Sequence, residues 1–173
     1  MKYSVLESQA KSIIKQLNTI INKCKKQGIP YRLEVSDSYN KIIELKDHST
    51  ISVPVVDIEV ELFFIFNGWK CLGCIKQDED GIQFYFEDTD VLKKYSKETN
   101  LFRCDHCHSN RERKAVCVLK HDDGSEKIVG TTCVKDFTRG LDGELILQFN
   151  CIERILFEKD HELDCFNEEL EDI

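Results

Sequence analysis

The chain has 173 residues, enough for one domain or one domain with a small metal-bound subdomain, and 41% are hydrophobic, enough for a core. No apolar run reaches the roughly 18 residues of a membrane-spanning helix, and residues 1–17 lack the apolar block and cleavage site of a signal peptide. Nine cysteines and a net charge of −8 argue for reduced thiols in a cytoplasm and against a disulfide framework or a uniformly DNA-coating surface.

The charge is uneven along the chain. Residues 1–100 carry −1, residues 101–140 carry +2 and residues 141–173 carry −9. A locally basic segment is thus followed by an acidic tail.

In chain order, Leu6, Ala10, Ile13, Leu17, Ile20 and Cys24 recur at alternating steps of four and three, widened by Ile14 and Ile21. This predicts an amphipathic helix that stops at Gly28 before Pro30, packed on a core or, as the second reading, paired in a coiled coil. Residues 31–35 and 41–45 read as short strands. Residues 53–66 read as one long strand, with Val56, Ile58, Val60, Leu62, Phe64 and Phe66 on one face. Its second half adds Phe63 and Ile65 and is expected to be covered on both faces. Asn67-Gly68 predicts a hairpin, with strands at 69–76 and 82–86 completing an antiparallel meander. Residues 90–100 read as a polar connector with one helical turn. Leu145, Phe149, Ile152 and Leu156 predict a helix in the acidic segment, and Leu163, Phe166 and Leu170 a last short one.

Between these lies Cys104-Asp105-His106-Cys107, a hairpin spanning residues 116–129, then Gly130-Thr131-Thr132-Cys133. Two cysteines two residues apart let one turn aim both sulfurs at a tetrahedral cation. Gly-Thr-Thr announces a helix N-terminus, where a thiolate is favoured. Knuckle, hairpin and helix in that order are the parts of a treble-clef zinc module, with Cys104, Cys107 and Cys133 as three ligands. Zinc wants a fourth. Asp136, three residues after Cys133, is the first candidate, against a plain helix-capping carboxylate; His108 and His106 are the reserves. A competing scheme pairs Cys71 and Cys74 with Cys104 and Cys107 in a four-thiolate ribbon. It leaves Cys133 over and places the first pair inside a strand. Otherwise Cys71, Cys74, Cys24, Cys117, Cys151 and Cys165 read as buried small hydrophobes.

Arg103, Arg111, Arg113, Lys114, Lys135 and Arg139 surround the motif. They form either a solvated surface or one patch for nucleic-acid phosphates or a protein partner.

The pattern CDHC, NRERK, a Val-Leu strand, a DDG turn and VGTTCVKDF resembles a family of uncharacterised zinc proteins of phages, plasmids and integrative elements. They share a CxHC…RxRK…VGxxCxxDF pattern behind a Trp-containing hairpin, here the hairpin around Trp69. The likeness covers about residues 69–140. It implies that Cys104, Cys107, Cys133 and Asp136 act as a unit, that the chain belongs to a mobile element and that its cytoplasm is that of a bacterial host cell. The positions of Cys71 and Cys74 are apolar or small in that family, which speaks against the ribbon.

Treble-clef nucleases carry a catalytic His at the hairpin and a metal-binding His on the helix; this chain has neither arrangement. No Cys–His–acid arrangement reads as a catalytic nucleophile, so no enzyme is expected. Two binding readings remain. One is a non-enzymatic accessory protein, without a membrane partner, that binds nucleic acid through the basic patch. The other is an anti-defence inhibitor of the anti-CRISPR type, whose acidic surface mimics nucleic acid against a host nucleic-acid-binding protein. The expected fold is α+β: helix and sheet over 1–100, a treble-clef-like zinc module over 101–140, and an acidic helical tail over 141–173 packed on the body.

Overall fold

The structure, a computed structural model, describes residues 1–45, 47–109, 111–138 and 140–164. The readings placed on Arg139, Cys165, Phe166 and Leu170 lie outside the described residues. The chain is mixed α/β, with antiparallel sheets and, among the described residues, three α-helices. It divides into two compact units.

The first unit comprises Met1–Lys25, Pro30–Leu62 and the chain from Ile152. Its strands are β1 (Lys2–Leu6), β2 (Tyr31–Val35), β3 (Tyr39–Glu44) and β4 (Thr50–Leu62). All pair antiparallel with β4, β1 on one edge and β2 on the other, with β3 also on β4. The alternation of β4 explains its role. Val56, Ile58 and Val60 are buried, while Asp57 and Glu59 meet Lys2 at 2.8 Å and Arg32 at 3.0 Å. Helix α1 (Glu7–Gln27) buries Ala10, Ile13, Leu17, Ile20, Ile21 and Cys24, the apolar stripe of the sequence. It ends at Gly28, whose φ of 66° suits glycine. The stripe starts one element later than its first apolar residue suggests: Leu6 belongs to β1, where Tyr3 and Val5 point inward.

The second unit comprises Lys26–Ile29 and Phe63–Cys151. Here β5 (Ile65–Phe66), β6 (Trp69–Asp78), β7 (Gly81–Phe86), β8 (Ala115–His121) and β9 (Glu126–Gly130) form one sheet in the order β5-β6-β8-β9, with β7 also on β6. The meander and the hairpin that follows the knuckle are therefore one sheet. The long strand expected at 53–66 breaks after Leu62, where alternation stops, and the chain changes sheets. Phe63 and Ile65, expected to be covered, are 46% and 61% exposed. Asn67 and Gly68 turn with φ of 49° and 77°, the hairpin geometry anticipated for Asn-Gly.

One face of this sheet contributes Ile75, Val116, Val118 and Ile128 to a core with Tyr95 and Leu101. Helix α2 (Thr89–Tyr95), capped by Asp88, replaces the expected single turn. Its Tyr95 hydroxyl donates to Glu126 Oε2 at 2.7 Å, and Lys94 reaches the same oxygen at 2.6 Å. Helix α3 (Gly143–Asp164) buries Leu145, Phe149, Ile152 and Leu156. Its residues from Ile152 belong to the first unit, where Leu163 packs with Ile43 and Val55.

Candidate metal centre

The knuckle is a tight turn, closed by the His108 N–H donating to the Cys104 carbonyl at 3.0 Å. His108 takes a φ of 50° to make it. The turn is fastened to β9 by Asp105. Its backbone N–H donates to the Ile128 carbonyl and its Oδ2 accepts from the Ile128 N–H, both at 2.8 Å. Arg103 Nε donates to the other carboxylate oxygen at 2.9 Å. The β8–β9 hairpin then returns the chain, and Cys133 follows at a turn whose N–H donates to the Gly130 carbonyl at 2.8 Å. The expected helix start here is a single 3-10 turn, Val134–Phe137; the regular helix begins only at Gly143.

The sulfurs of Cys104, Cys107 and Cys133 lie within 4.8 Å of one another. Tetrahedral zinc, with bonds of about 2.3 Å to sulfur, holds thiolates about 3.8 Å apart, so one ion can satisfy all three. Two donors support thiolate here: the Gly130 N–H reaches Cys104 Sγ at 3.3 Å, and Arg113 Nη2 reaches Cys107 Sγ at 3.5 Å. The Ser109 hydroxyl and backbone hold Cys107 down to about 6, whereas burial and the neighbouring sulfurs push Cys133 up to about 11. The donor chemistry fits a soft divalent metal ion.

Asp136, His106 and His108 stand outside the group of three sulfurs. Asp136 Oδ2 pairs instead with His106 Nε2 at 3.0 Å. Both are partly exposed at the edge of the site.

Arg113 departs from the sequence reading. Expected on a binding surface, it is 8% exposed and its guanidinium is engaged by the knuckle. Nη1 donates to the carbonyls of Phe102 and Arg111, and Nη2 to Ser109 O and Oγ besides Cys107 Sγ. It is a clamp inside the fold. Arg103 is tied to Asp105 and Glu98. Arg111, Lys114 and Lys135 are exposed and free of ion pairs among the described residues; Arg111 and Lys114 line a cleft of about 210 Å³ with Thr131 and Thr132. Trp69, the first residue of β6, contacts Phe137 and His121, with ring centres 5.1 and 4.9 Å apart, and Lys127 lies over its ring.

Cys71 and Cys74 do not join Cys104 and Cys107, as the ribbon scheme required. They gather with Cys117 in a second group of sulfurs within 4.8 Å. The signal that could have shown this was Leu72-Gly73 inside a strand, a bulge composition. On the acidic segment, Glu158 pairs with Arg154, Glu162 with Lys159, and Asp164 with Lys41, and Asp160 accepts the Ser4 N–H at 2.8 Å. All four of these acids are used within the chain.

No family model matches the chain, and neither a curated protein nor a solved structure matches it.

Proposed function

We propose that the protein is a non-enzymatic zinc-binding accessory protein of a phage or mobile element that binds nucleic acid beside the metal. The observation that carries the reading is the gathering of Cys104, Cys107 and Cys133 by a knuckle, a hairpin and a turn. That is the order of a treble-clef-like module. Three thiolates and one Zn²⁺ leave one negative charge, and the buried Arg113 guanidinium supplies the opposite one. Asp136 is the oxygen donor best placed in sequence to complete the ion, once it leaves His106; His108 and His106 follow. When bound, zinc supplies fold stability here, on the order of 10 kcal/mol or more in small modules.

Nucleic acid would meet Arg111, Lys114 and Lys135, exposed and free of ion pairs among the described residues, with Trp69 and Phe137 as stacking surface. On α3, Glu158, Glu162 and Asp164 are ion-paired within the chain and Asp160 accepts a backbone N–H, which favours the basic patch over the acidic face. The test is fluorescence anisotropy of labelled single-stranded and duplex oligonucleotides across a salt series. Each lost phosphate contact lowers the slope of log affinity against log salt by about 0.7–0.9. Arg111→Glu with Lys114→Glu is expected to flatten it by one to two such steps. An unchanged slope, or no binding by the parent protein at low salt, contradicts the proposal.

A further inference from the structure

Cys71, Cys74 and Cys117 take no part in the reading above, yet the backbone is shaped around them. In a regular strand residues three apart point to opposite faces. Strand β6 shifts register between Cys71 and Gly73: Cys71 faces Leu119 on β8, Gly73 faces Val118, and Leu72 is the extra residue. This bulge turns Cys71 and Cys74 to the same side. Cys74 is the direct cross-strand partner of Cys117, so all three sulfurs converge. Gly73 permits the bend. Its φ is 150°, and a Cβ there would stand 2.0 Å from the Tyr85 carbonyl oxygen.

The three sulfurs lie within 4.8 Å of one another, Cys74 and Cys117 at 3.0 Å. Cys74 and Cys117 are fully buried, with Leu119 and Val129 buried on the same face of the sheet. Cys71 is half-buried and gives the group an open side. The Gly143 carbonyl oxygen, at the start of α3, stands 4.0 Å from Cys117 Sγ. We propose that Cys71, Cys74 and Cys117 form a second metal site, for a thiophilic d10 divalent ion of the zinc and cadmium class, entered from the Cys71 side.

The donor set argues for that class. Three convergent sulfurs without a carboxylate or imidazole in their group select soft ions over magnesium or calcium. Core packing alone would not call for a bulge that brings two cysteines onto a third. Each ion binding here displaces thiol protons to solvent, so uptake falls on acidification.

The experiment is anaerobic titration of the reduced, metal-free full chain with Cd²⁺, followed by the ultraviolet thiolate-to-metal charge-transfer band and by cadmium NMR. The proposal expects two equivalents and two resonances from the parent chain. Cys71→Ser is expected to take one equivalent, and Cys133→Ser to keep the resonance that Cys71→Ser loses. Uptake of one equivalent by the parent chain, or two by Cys71→Ser, overturns it. So does a Cys74–Cys117 disulfide found by thiol counting in protein purified without reductant. The cadmium spectrum of the parent chain decides the matter even if a variant fails to fold: a single sulfur-ligated resonance overturns the proposal. Loss of metal confined to Cys133→Ser, with Cys71→Ser unaffected, would leave the first centre standing and remove this one.

Discussion

Arg113 is a buried cation whose partners are the Ser109 hydroxyl, carbonyl oxygens and the Cys107 sulfur rather than a carboxylate. Such a charge is costly unless compensated, and in the proposed zinc site the thiolates would compensate it. Gly130 is shaped by the same contact: a Cβ at that position would lie 2.9 Å from Arg113 Nε and 3.9 Å from Cys104 Sγ. Gly130→Ala is therefore expected to push Arg113 off the knuckle and weaken metal retention. Competition with a chromophoric chelator should read this as at least a tenfold loss, about 1.4 kcal/mol; unchanged retention would show that the clamp is dispensable. Tyr95 gives a pH test. Burial first, then the hydrogen bond to Glu126, raises its phenol well above the ordinary value. The folded chain thus holds a proton that the unfolded chain loses above about pH 10. The contribution is fully present below that pH and is lost as pH rises further. Thermal melts from pH 8 to 11 should show Tyr95→Phe with a shallower alkaline decline than the parent chain, and parallel curves would refute the assignment.

Among the elements, periodicity made the helices and the longest strand legible. The stripe of α1 and the Leu145, Phe149, Ile152, Leu156 stripe of α3 are buried as spaced, because a face repeating every three to four residues has one way to hide. What the sequence concealed was non-local. Residues 63–66 continue the apolar content of the strand, and only the pairing of Ile65 and Phe66 with β6 assigns those two to another sheet. Cys71 and Cys74 looked incompatible with a shared site because strand alternation separates them, and one inserted residue reverses that conclusion. Arg113 could not be told from its exposed neighbours Arg111 and Lys114, since nothing local marks which cation of a basic run turns inward. Leu156 is fully buried and tests α3 directly. Leu156→Ala is expected to cost about 2–5 kcal/mol by cavity formation, read from denaturant unfolding. A cost below about 1 kcal/mol would mean the acidic helix contributes little to the fold.

At the scale of the molecule, part of the acid at the C-terminal end is used within the chain: inside the first unit Asp160 accepts the Ser4 N–H and Asp164 pairs with Lys41. Arg111, Lys114 and Lys135, exposed and without ion pairs among the described residues, lie close in sequence to Cys104, Cys107 and Cys133. The knuckle was legible from the Cys104/Cys107 spacing taken with the returning Cys133, whereas its fastening by Asp105 and Arg113 required the fold. The central claim is that Cys104, Cys107 and Cys133 hold zinc. Elemental analysis of protein purified without chelator, parent chain beside Cys133→Ser, tests it most directly. The account predicts that the variant holds one zinc fewer per chain and melts at lower temperature. Equal zinc content in the two proteins, with equal melting temperatures, would contradict it.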